Sequence, residues 1–219
     1  ALHKPLVPAH RVRAHIAANY ITHPDLEPPF VCLCVSGGNT MIVDVRDYTD
    51  MSILGATRDD AAGECFDKLA QGGDDKRYDL PRAHVHDAPL DMSFSGLKTA
   101  VLNLAHNASQ KGEELDLPGL AASFGAAVSD TLVPRTMEAA RQMGYGKVAV
   151  AGGVAANSRL RADLERACQK SGNKLFLPAL SLCGDNAAMI GCQGYYEFLA
   201  GKRGGMDLNA YATRDISLG

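Results

Sequence analysis

The chain has 219 residues, which is enough for one large domain or two small ones with a substantial core. Hydrophobic residues make up 46% and charged residues 21%, as in an ordinary globular protein, and no apolar run approaches the length of a membrane span. The net charge of −3 excludes nucleic-acid binding driven by overall charge, so contact with RNA requires a local patch or a partner. None of the six cysteines forms a C-x-x-C pair, and scattered free thiols predict a reducing, cytoplasmic compartment.

A helix, three strands and a group of helices are predicted in that order, followed by alternating strands and helices. This order predicts an α/β sheet with helices on its faces. Prolines within residues 24–29 mark a linker ahead of the first strand. Asp59 and Asp60 suit the first turn of a helix that opens at Thr57, because carboxylates stabilise helix N-termini. The predicted segments are helix 11–20, strands 31–35, 41–45 and 51–54, helix 57–70, surface loop 71–92, helices from 95 and over 117–143, strand 147–150, helix 158–170, strand 174–177 and helix 185–199.

Two double-glycine turns are the most informative feature, since each follows an apolar strand. The first contains Gly37 and Gly38, and the second contains Gly152 and Gly153 and ends at Asn157. A double glycine lets the backbone approach another molecule and leaves N–H groups free to point at an anion. The turns therefore predict a cleft around a phosphate-bearing ligand. A plain hairpin turn in the first, and helix capping alone by Asn157 in the second, are the alternatives.

Five collinear motifs run through nearly the whole chain. They are SGGNT at 36–40, TRDDAAGECFDK at 57–68, SFSGLKT at 93–99, GGVAAN at 152–157 and CGDNAAMI at 183–190. With these motifs the chain resembles the tRNA N6-adenosine threonylcarbamoyltransferase family, whose members were formerly described as O-sialoglycoprotein endopeptidases. Each motif alone is a weak signal, but five in the family's order are specific.

The resemblance implies an actin-like ATPase (ribonuclease H-like) lobe, an α/β fold in which helices flank a mixed sheet. The family's N-terminal lobe is expected to be largely absent, with residues 1–29 as its remnant and linker and residues 30–219 as the nucleotide-binding C-terminal lobe. The implied activity is transfer of a threonylcarbamoyl group from threonylcarbamoyl-AMP to N6 of the adenosine next to the anticodon in tRNA. The implied partners are tRNA, a smaller actin-fold paralogue and a P-loop ATPase, with no membrane.

The resemblance also implies which residues form the site. The expected contacts to the adenylate substrate, threonylcarbamoyl-AMP or ATP, are Cys34, Val35, Ser36, Gly37, Gly38, Asp67 and Asn157. Family members carry a divalent metal, iron or zinc, at positions that correspond here to Arg11, His15 and Asp185. Because Arg11 replaces a histidine ligand, His15 and Asp185 remain as an incomplete metal site. An ion pair between Arg11 and Asp185 is the alternative to metal binding.

Two further features leave alternatives open. The family has a Gly-Tyr-Pro-Gly-Gly loop that helps hold the nucleotide, whereas this chain continues from Ala70 directly into residues 71–74. Asp59, Asp60 and Glu64 either begin a helix or form a carboxylate cluster that orients the attacking amine. A non-catalytic actin-fold scaffold of the same complex is the alternative function. A metalloprotease is the least favoured, because the sequence contains no His-Glu-x-x-His motif.

Overall fold

A computed structural model describes residues 4–63, 73–211 and 214–218, and its centre is a mixed β-sheet. The strands are β1 (Phe30–Val35), β2 (Thr40–Val45), β3 (Met51–Ala56), β4 (Lys147–Ala151) and β5 (Lys174–Phe176). They lie side by side in the order β3-β2-β1-β4-β5. The pairs β1–β2 and β2–β3 are antiparallel, whereas β4 runs parallel to β1 and β5 runs parallel to β4. The predicted strands are confirmed, with small shifts at their ends.

Helices cover both faces of this sheet. The described α-helices are α1 (Arg11–Thr22), α2 (Ser95–Lys111), α3 (Leu117–Met143), α4 (Ser158–Ser171) and α5 (Ala187–Leu199), and short 3₁₀ helices cover Gly153–Ala156, Leu180–Leu182 and Ile216–Leu218. One apolar cluster joins α2, α3 and α4 to one face of the sheet, and a second joins α1 and part of α5 to the other. The predicted α/β architecture is therefore confirmed. No helix among the described residues is both long enough and apolar enough to cross a bilayer.

Strand β1 is buried along its whole length, because both of its faces are covered. Leu33 and Val35 pack on the side of α3 and α4, whereas Cys32 and Cys34 pack on the side of α1. Parallel pairing places Cys34 opposite Ala151 of β4. The residues that follow β1 and β4 therefore emerge next to each other at the same end of the sheet.

One predicted helix start is wrong, and another is shifted by two residues. Residues 57–62 are not helical, and Thr57 instead forms an isolated parallel bridge with Met92. Helix α5 begins after Asn186, whose side chain accepts a backbone hydrogen bond of the first turn at 2.9 Å and so provides the N-cap. Asp185 therefore precedes the helix, and its carboxylate is available for other contacts.

The carboxylate of Asp59 stabilises a helix other than the one predicted. It accepts hydrogen bonds from the backbone N–H groups of Phe94 and Ser95, at 2.7 and 3.2 Å, which lie at the N-terminus of α2. The hydroxyl groups of Ser93 and Ser95 also donate to it, at 2.5 and 2.8 Å. Burial by itself would raise the pKa of Asp59, but these hydrogen bonds together lower it to about 2.

The first helix shares its core with the sheet. Ile16 and Tyr20 of α1 belong to the same apolar cluster as Phe30 of β1 and Val43 of β2. The division of the chain at residue 29 stays a prediction.

Candidate functional site

The two glycine turns are in contact, as the parallel pairing of β1 and β4 requires. Gly152 follows β4 and adopts φ +92° and ψ 172°, a conformation almost restricted to glycine. A Cβ atom on Gly152 would overlap the carbonyl oxygen of Val35 and lie 2.8 Å from its carbonyl carbon. Because only glycine allows this approach, the second turn packs directly on the first.

A third segment supports the first turn from another side. A Cβ atom on Gly63 would overlap the carbonyl oxygen of Ser36 and lie 2.8 Å from the backbone nitrogen of Gly37. The N–H of Ala62 donates a 2.9 Å hydrogen bond to the hydroxyl of Thr40, so this segment is also tied to the start of β2. Residues 57–62, which the sequence predicts as the start of a helix, lead instead to Gly63, which packs against the first turn.

The first turn is closed by its own hydrogen bonds and leaves two amides free. The N–H of Ser36 donates to the carbonyl of Asn39 at 2.8 Å, and the N–H of Asn39 donates to the Ser36 hydroxyl at 3.2 Å. Gly37 and Gly38 are exposed, with no atom within 4 Å of where a Cβ would stand. Within the described part of the chain, their N–H groups have no hydrogen-bond partner. These amides can therefore bind an anion or a polarised carbonyl oxygen.

A cavity of about 730 Å³ opens beside the first turn. Its lining includes Gly38 and Asn39 of the turn, His10 and Arg11 at the start of α1, and Arg214 of the C-terminal segment. The guanidinium of Arg214 is permanently positive, so this border suits an anionic ligand. Among the described residues, the lining includes the first turn and not the second.

The sequence contains no local signal that places His10 and Arg214 at one cavity. They are 204 residues apart, yet a ring nitrogen of His10 lies 2.9 Å from the carbonyl oxygen of Arg214. The N–H of Gly204 donates to the carbonyl of Leu6 at 2.8 Å, which joins the N-terminal and C-terminal segments nearby. This long-range pairing brings the two chain segments together at the cavity.

The other predicted substrate residues have different surroundings. The side chains of Cys34 and Val35 are buried in the two apolar clusters, so only their backbone atoms can reach a ligand. Asn157 is the N-cap of α4, where its side-chain oxygen accepts a 3.0 Å hydrogen bond from the N–H of Leu160. Its capping role is thus confirmed, and its contact with a ligand stays a prediction. Asp67 lies outside the described residues, so its assignment to the ribose also stays a prediction.

The three positions that the resemblance assigns to the metal lie together. Arg11 donates from Nε to Asp185 Oδ1 at 3.0 Å and from Nη2 to Oδ2 at 2.8 Å, which is a two-pronged ion pair. His15 Nε2 lies 3.1 Å from Asp185 Oδ1, an ion-pair distance without hydrogen-bond alignment. The hydrogen bond from Arg11 holds the pKa of Asp185 below its usual value. Burial lowers the pKa of His15, although the nearby carboxylate opposes this effect.

These residues do not fit an iron or zinc site. Both carboxylate oxygens of Asp185 are engaged by Arg11, whose guanidinium cannot lose its proton and cannot act as a ligand. Across the described residues, no group of three or more His, Cys, Asp or Glu side chains can hold a metal ion. The predicted ion pair between Arg11 and Asp185 is confirmed, and His15 joins it.

Sequence comparison finds similarity to known proteins over most of the chain. The family model of tRNA N6-adenosine threonylcarbamoyltransferase matches residues 1–192. A protein of that name from Clostridium botulinum strain 657 is 46% identical over 94% of this chain. Another, from Clostridium perfringens strain 13, is 45% identical over 96%. The chain spans 66% of the length of the first relative and 67% of the second.

Structural comparison agrees at the level of the fold. A solved structure of full-length HypF, in its phosphate- and nucleotide-bound form, superposes with a TM-score of 0.62 on 91% of this chain and 37% of its own. At 12% identity this match shows the fold alone, and the expected actin-like ATPase (ribonuclease H-like) lobe is confirmed. From the family match and the close relatives together, the chain belongs to the tRNA N6-adenosine threonylcarbamoyltransferase family.

Proposed function

We propose that this protein transfers the threonylcarbamoyl group of threonylcarbamoyl-AMP to N6 of the adenosine next to the anticodon in tRNA. Family membership over residues 1–192 is the observation that carries the proposal. The free amides of the first turn and the adjoining cavity support it, because the donor substrate carries both a phosphate and a carbamoyl oxygen. Successive backbone N–H groups at one turn can bind such an anionic group.

The proposed reaction is an acyl transfer from a phosphate oxygen of the donor to the amine nitrogen of the adenine. The adenine amine attacks the carbamoyl carbonyl carbon, a C–N bond forms, and the bond from that carbon to the phosphate oxygen breaks. AMP leaves with the electron pair of the broken bond, and the proton that the amine loses passes to solvent water. Negative charge develops on the carbonyl oxygen, where the N–H groups of Gly37 and Gly38 are suited to stabilise it. Holding the two reactants in line supplies the remaining part of the acceleration.

The cations at the cavity border suit the leaving group. Arg11 and Arg214 line the cavity that Gly38 also lines. Because Asp185 balances the charge of Arg11, the attraction for a phosphate held near the turn depends mainly on Arg214. Asp67 is proposed to contact the ribose, and Asn157 the sugar or the base. For Asn157, the side-chain oxygen already caps α4, which leaves its NH₂ group as the donor for that contact.

The remaining partners are proposed from family membership. They are tRNA, a smaller actin-fold paralogue and a P-loop ATPase, which work together in the cytoplasm. A net charge of −3 gives the chain little general attraction for RNA, so a partner surface is expected to supply part of the tRNA contact.

The test is a transfer assay with purified protein. The chain, threonylcarbamoyl-AMP and unmodified tRNA are incubated with the two partner proteins, and threonylcarbamoyladenosine is measured by mass spectrometry of the digested tRNA. The proposal predicts a product that depends on the chain. A parallel titration with AMP measures binding alone. Adenylate binding without any product would support the scaffold alternative, and the absence of both would reject the proposal.

A matched pair of variants ties the activity to the turn. Gly38→Glu places a carboxylate beside the free amides, where it repels the phosphate, and is expected to abolish AMP binding. Gly146→Glu adds the same charge at an exposed position outside the cavity lining. At both glycines no atom lies within 4 Å of an added Cβ, so neither change is expected to disturb packing. Equal AMP binding by the two variants would show that the first turn is not the anion site.

A further inference from the structure

Arg11 makes contacts of the kind that a bound cation would make at this place. Its guanidinium approaches both oxygens of Asp185, at 2.8 and 3.0 Å, while His15 approaches Oδ1 of the same carboxylate at 3.1 Å. One positive group thus joins α1 to the segment before α5. A metal ion with His15 and Asp185 as ligands would join the same two elements.

The positions of these atoms disfavour a second cation. Zinc or iron would have to take the Asp185 oxygens as ligands at about 2.0–2.2 Å, and these oxygens already accept two charge-assisted hydrogen bonds from Arg11. Two positive charges would then share one carboxylate. A guanidinium keeps its proton in proteins, so this repulsion would not be relieved.

The second coordination layer of a metal site is also absent among the described residues. A histidine that binds a metal donates its other ring N–H to a carbonyl or a carboxylate, which fixes the ring. His15 is 5% exposed, and its Nδ1 atom has no hydrogen-bond partner in the described part of the chain. Its Nε2 atom has no aligned hydrogen bond among these residues either, so the buried ring is held mainly by packing, with the Asp185 carboxylate 3.1 Å away.

We propose that in this chain Arg11 replaces the metal, so that its guanidinium holds α1 to the segment before α5. His15 and Asp185 then bind no divalent ion. Arg11 also lines the cavity beside Gly38, where its charge is balanced by the carboxylate of Asp185. The inference depends on these three side chains and not on the proposed transfer activity.

The experiment measures metal binding by the folded full chain. Arg11→His creates histidines at i and i+4 of α1, which share one helix face, and Asp185 completes a three-ligand set. After incubation with Zn²⁺ and dialysis, Arg11→His is expected to retain about one Zn²⁺ per chain by elemental analysis. The unmodified protein is expected to retain almost none. Co²⁺ provides a second readout, through visible absorption that only the variant should show.

Two controls assign the bound ion to this place. Arg11→Gln removes the charge without adding a ligand and should retain no Zn²⁺, while Arg11→His combined with Asp185→Asn should lose what Arg11→His gains. The proposal is overturned if the unmodified protein retains one Zn²⁺ that both His15→Ala and Asp185→Asn remove. It is equally overturned if Arg11→His, folded by circular dichroism, takes up no Zn²⁺. Transfer activity is measured separately, so failure of the proposed function leaves these outcomes unchanged.

Discussion

Replacing Gly152 by alanine tests whether the two turns depend on their direct contact. At φ +92° and ψ 172° an alanine is strained by about 1–3 kcal/mol. Its Cβ would also overlap the Val35 carbonyl oxygen and lie 2.8 Å from the carbonyl carbon. Both of those atoms belong to the backbone of a buried strand, so they cannot move aside as a flexible side chain does. Overpacking of this kind costs about 1–3 kcal/mol more.

The two contributions predict that Gly152→Ala lowers the free energy of unfolding by about 2–6 kcal/mol. Gly153→Ala is the matched control, because the next glycine has no positive φ and no atom within 4 Å of an added Cβ. It is expected to change stability by less than about 0.5 kcal/mol. Urea denaturation followed by circular dichroism gives both values at constant protein concentration.

A second readout separates the turn from general stability. Below the unfolding transition, Gly152→Ala should also weaken AMP binding, because relief of the overlap shifts Val35 and the amides that follow it. If the two variants unfold at the same urea concentration with the same slope, the close contact does not exist in solution. The account of how the turns are brought together would then be wrong.

Three other substitutions test separate contacts. Asp59→Ala should destabilise the protein by about 1 kcal/mol at pH 7. Because the pKa of Asp59 falls to about 2 in the folded state, the stability difference between the two proteins should be complete above about pH 4 and should disappear as the pH falls towards 2. Thermal melts at each pH would detect this change. Arg13→Met should lower the free energy of urea unfolding by about 1–3 kcal/mol, because it removes the guanidinium that lies 3.0 Å from the buried carboxylate of Glu197 and that donates to the carbonyl oxygens of Ile216 and Thr49. The loss stays moderate because Lys202 still lies 2.9 Å from the other oxygen of Glu197; no measurable loss would contradict this expectation. Asp185→Asn should lower the free energy of unfolding by about 1 kcal/mol or less, since the side chains of Asp185 and Arg11 are 60% and 54% exposed. A double-mutant cycle with Arg11→Gln measures the coupling energy between the two side chains.

Local patterns were sufficient for the strands and for the existence of the turns. The apolar run of β1 ends at Val35, and the glycines that follow mark a turn in any fold. The contact between the turns required the structure, because it depends on the pairing of Cys34 with Ala151 across more than half of the chain. No periodicity in either segment encodes which strand lies beside which.

The acidic residues after β3 show why one prediction failed. Asp59 and Asp60 have the composition of a first helical turn, but a carboxylate can stabilise the N-terminus of any helix that it reaches. Asp59 reaches the backbone N–H groups of Phe94 and Ser95, 35 and 36 residues further along the chain. The competing tertiary contact has no signature in the sequence around residue 59.

The ion pair between Arg11 and Asp185 was accessible from the sequence for a different reason. The resemblance implies that its two positions correspond to metal-ligand positions of the family, so they were expected to lie close together whatever residues occupy them. With an arginine in place of a histidine ligand, the favourable arrangement is an ion pair between Arg11 and Asp185, and the structure contains this pair. The resemblance to the family predicted that the two residues lie close together, and the charge of the Arg11 guanidinium predicted that they form an ion pair.

Replacing a metal by Arg11 changes what the site can do to its ligand. A guanidinium neutralises a phosphate and donates hydrogen bonds, but it has no vacant orbital with which to accept an oxygen lone pair, so it cannot polarise a carbonyl as a Lewis acid does. Adenylate binding through the amides of Gly37 and Gly38 would therefore survive the substitution, whereas any part of the rate that depends on direct coordination would not. The free amides of the first turn then have to stabilise the charge on the carbonyl oxygen by themselves. If Arg11→His bound Zn²⁺ and raised the transfer rate without changing AMP affinity, the result would show that the amides bind the adenylate and that a bound metal accelerates the transfer step.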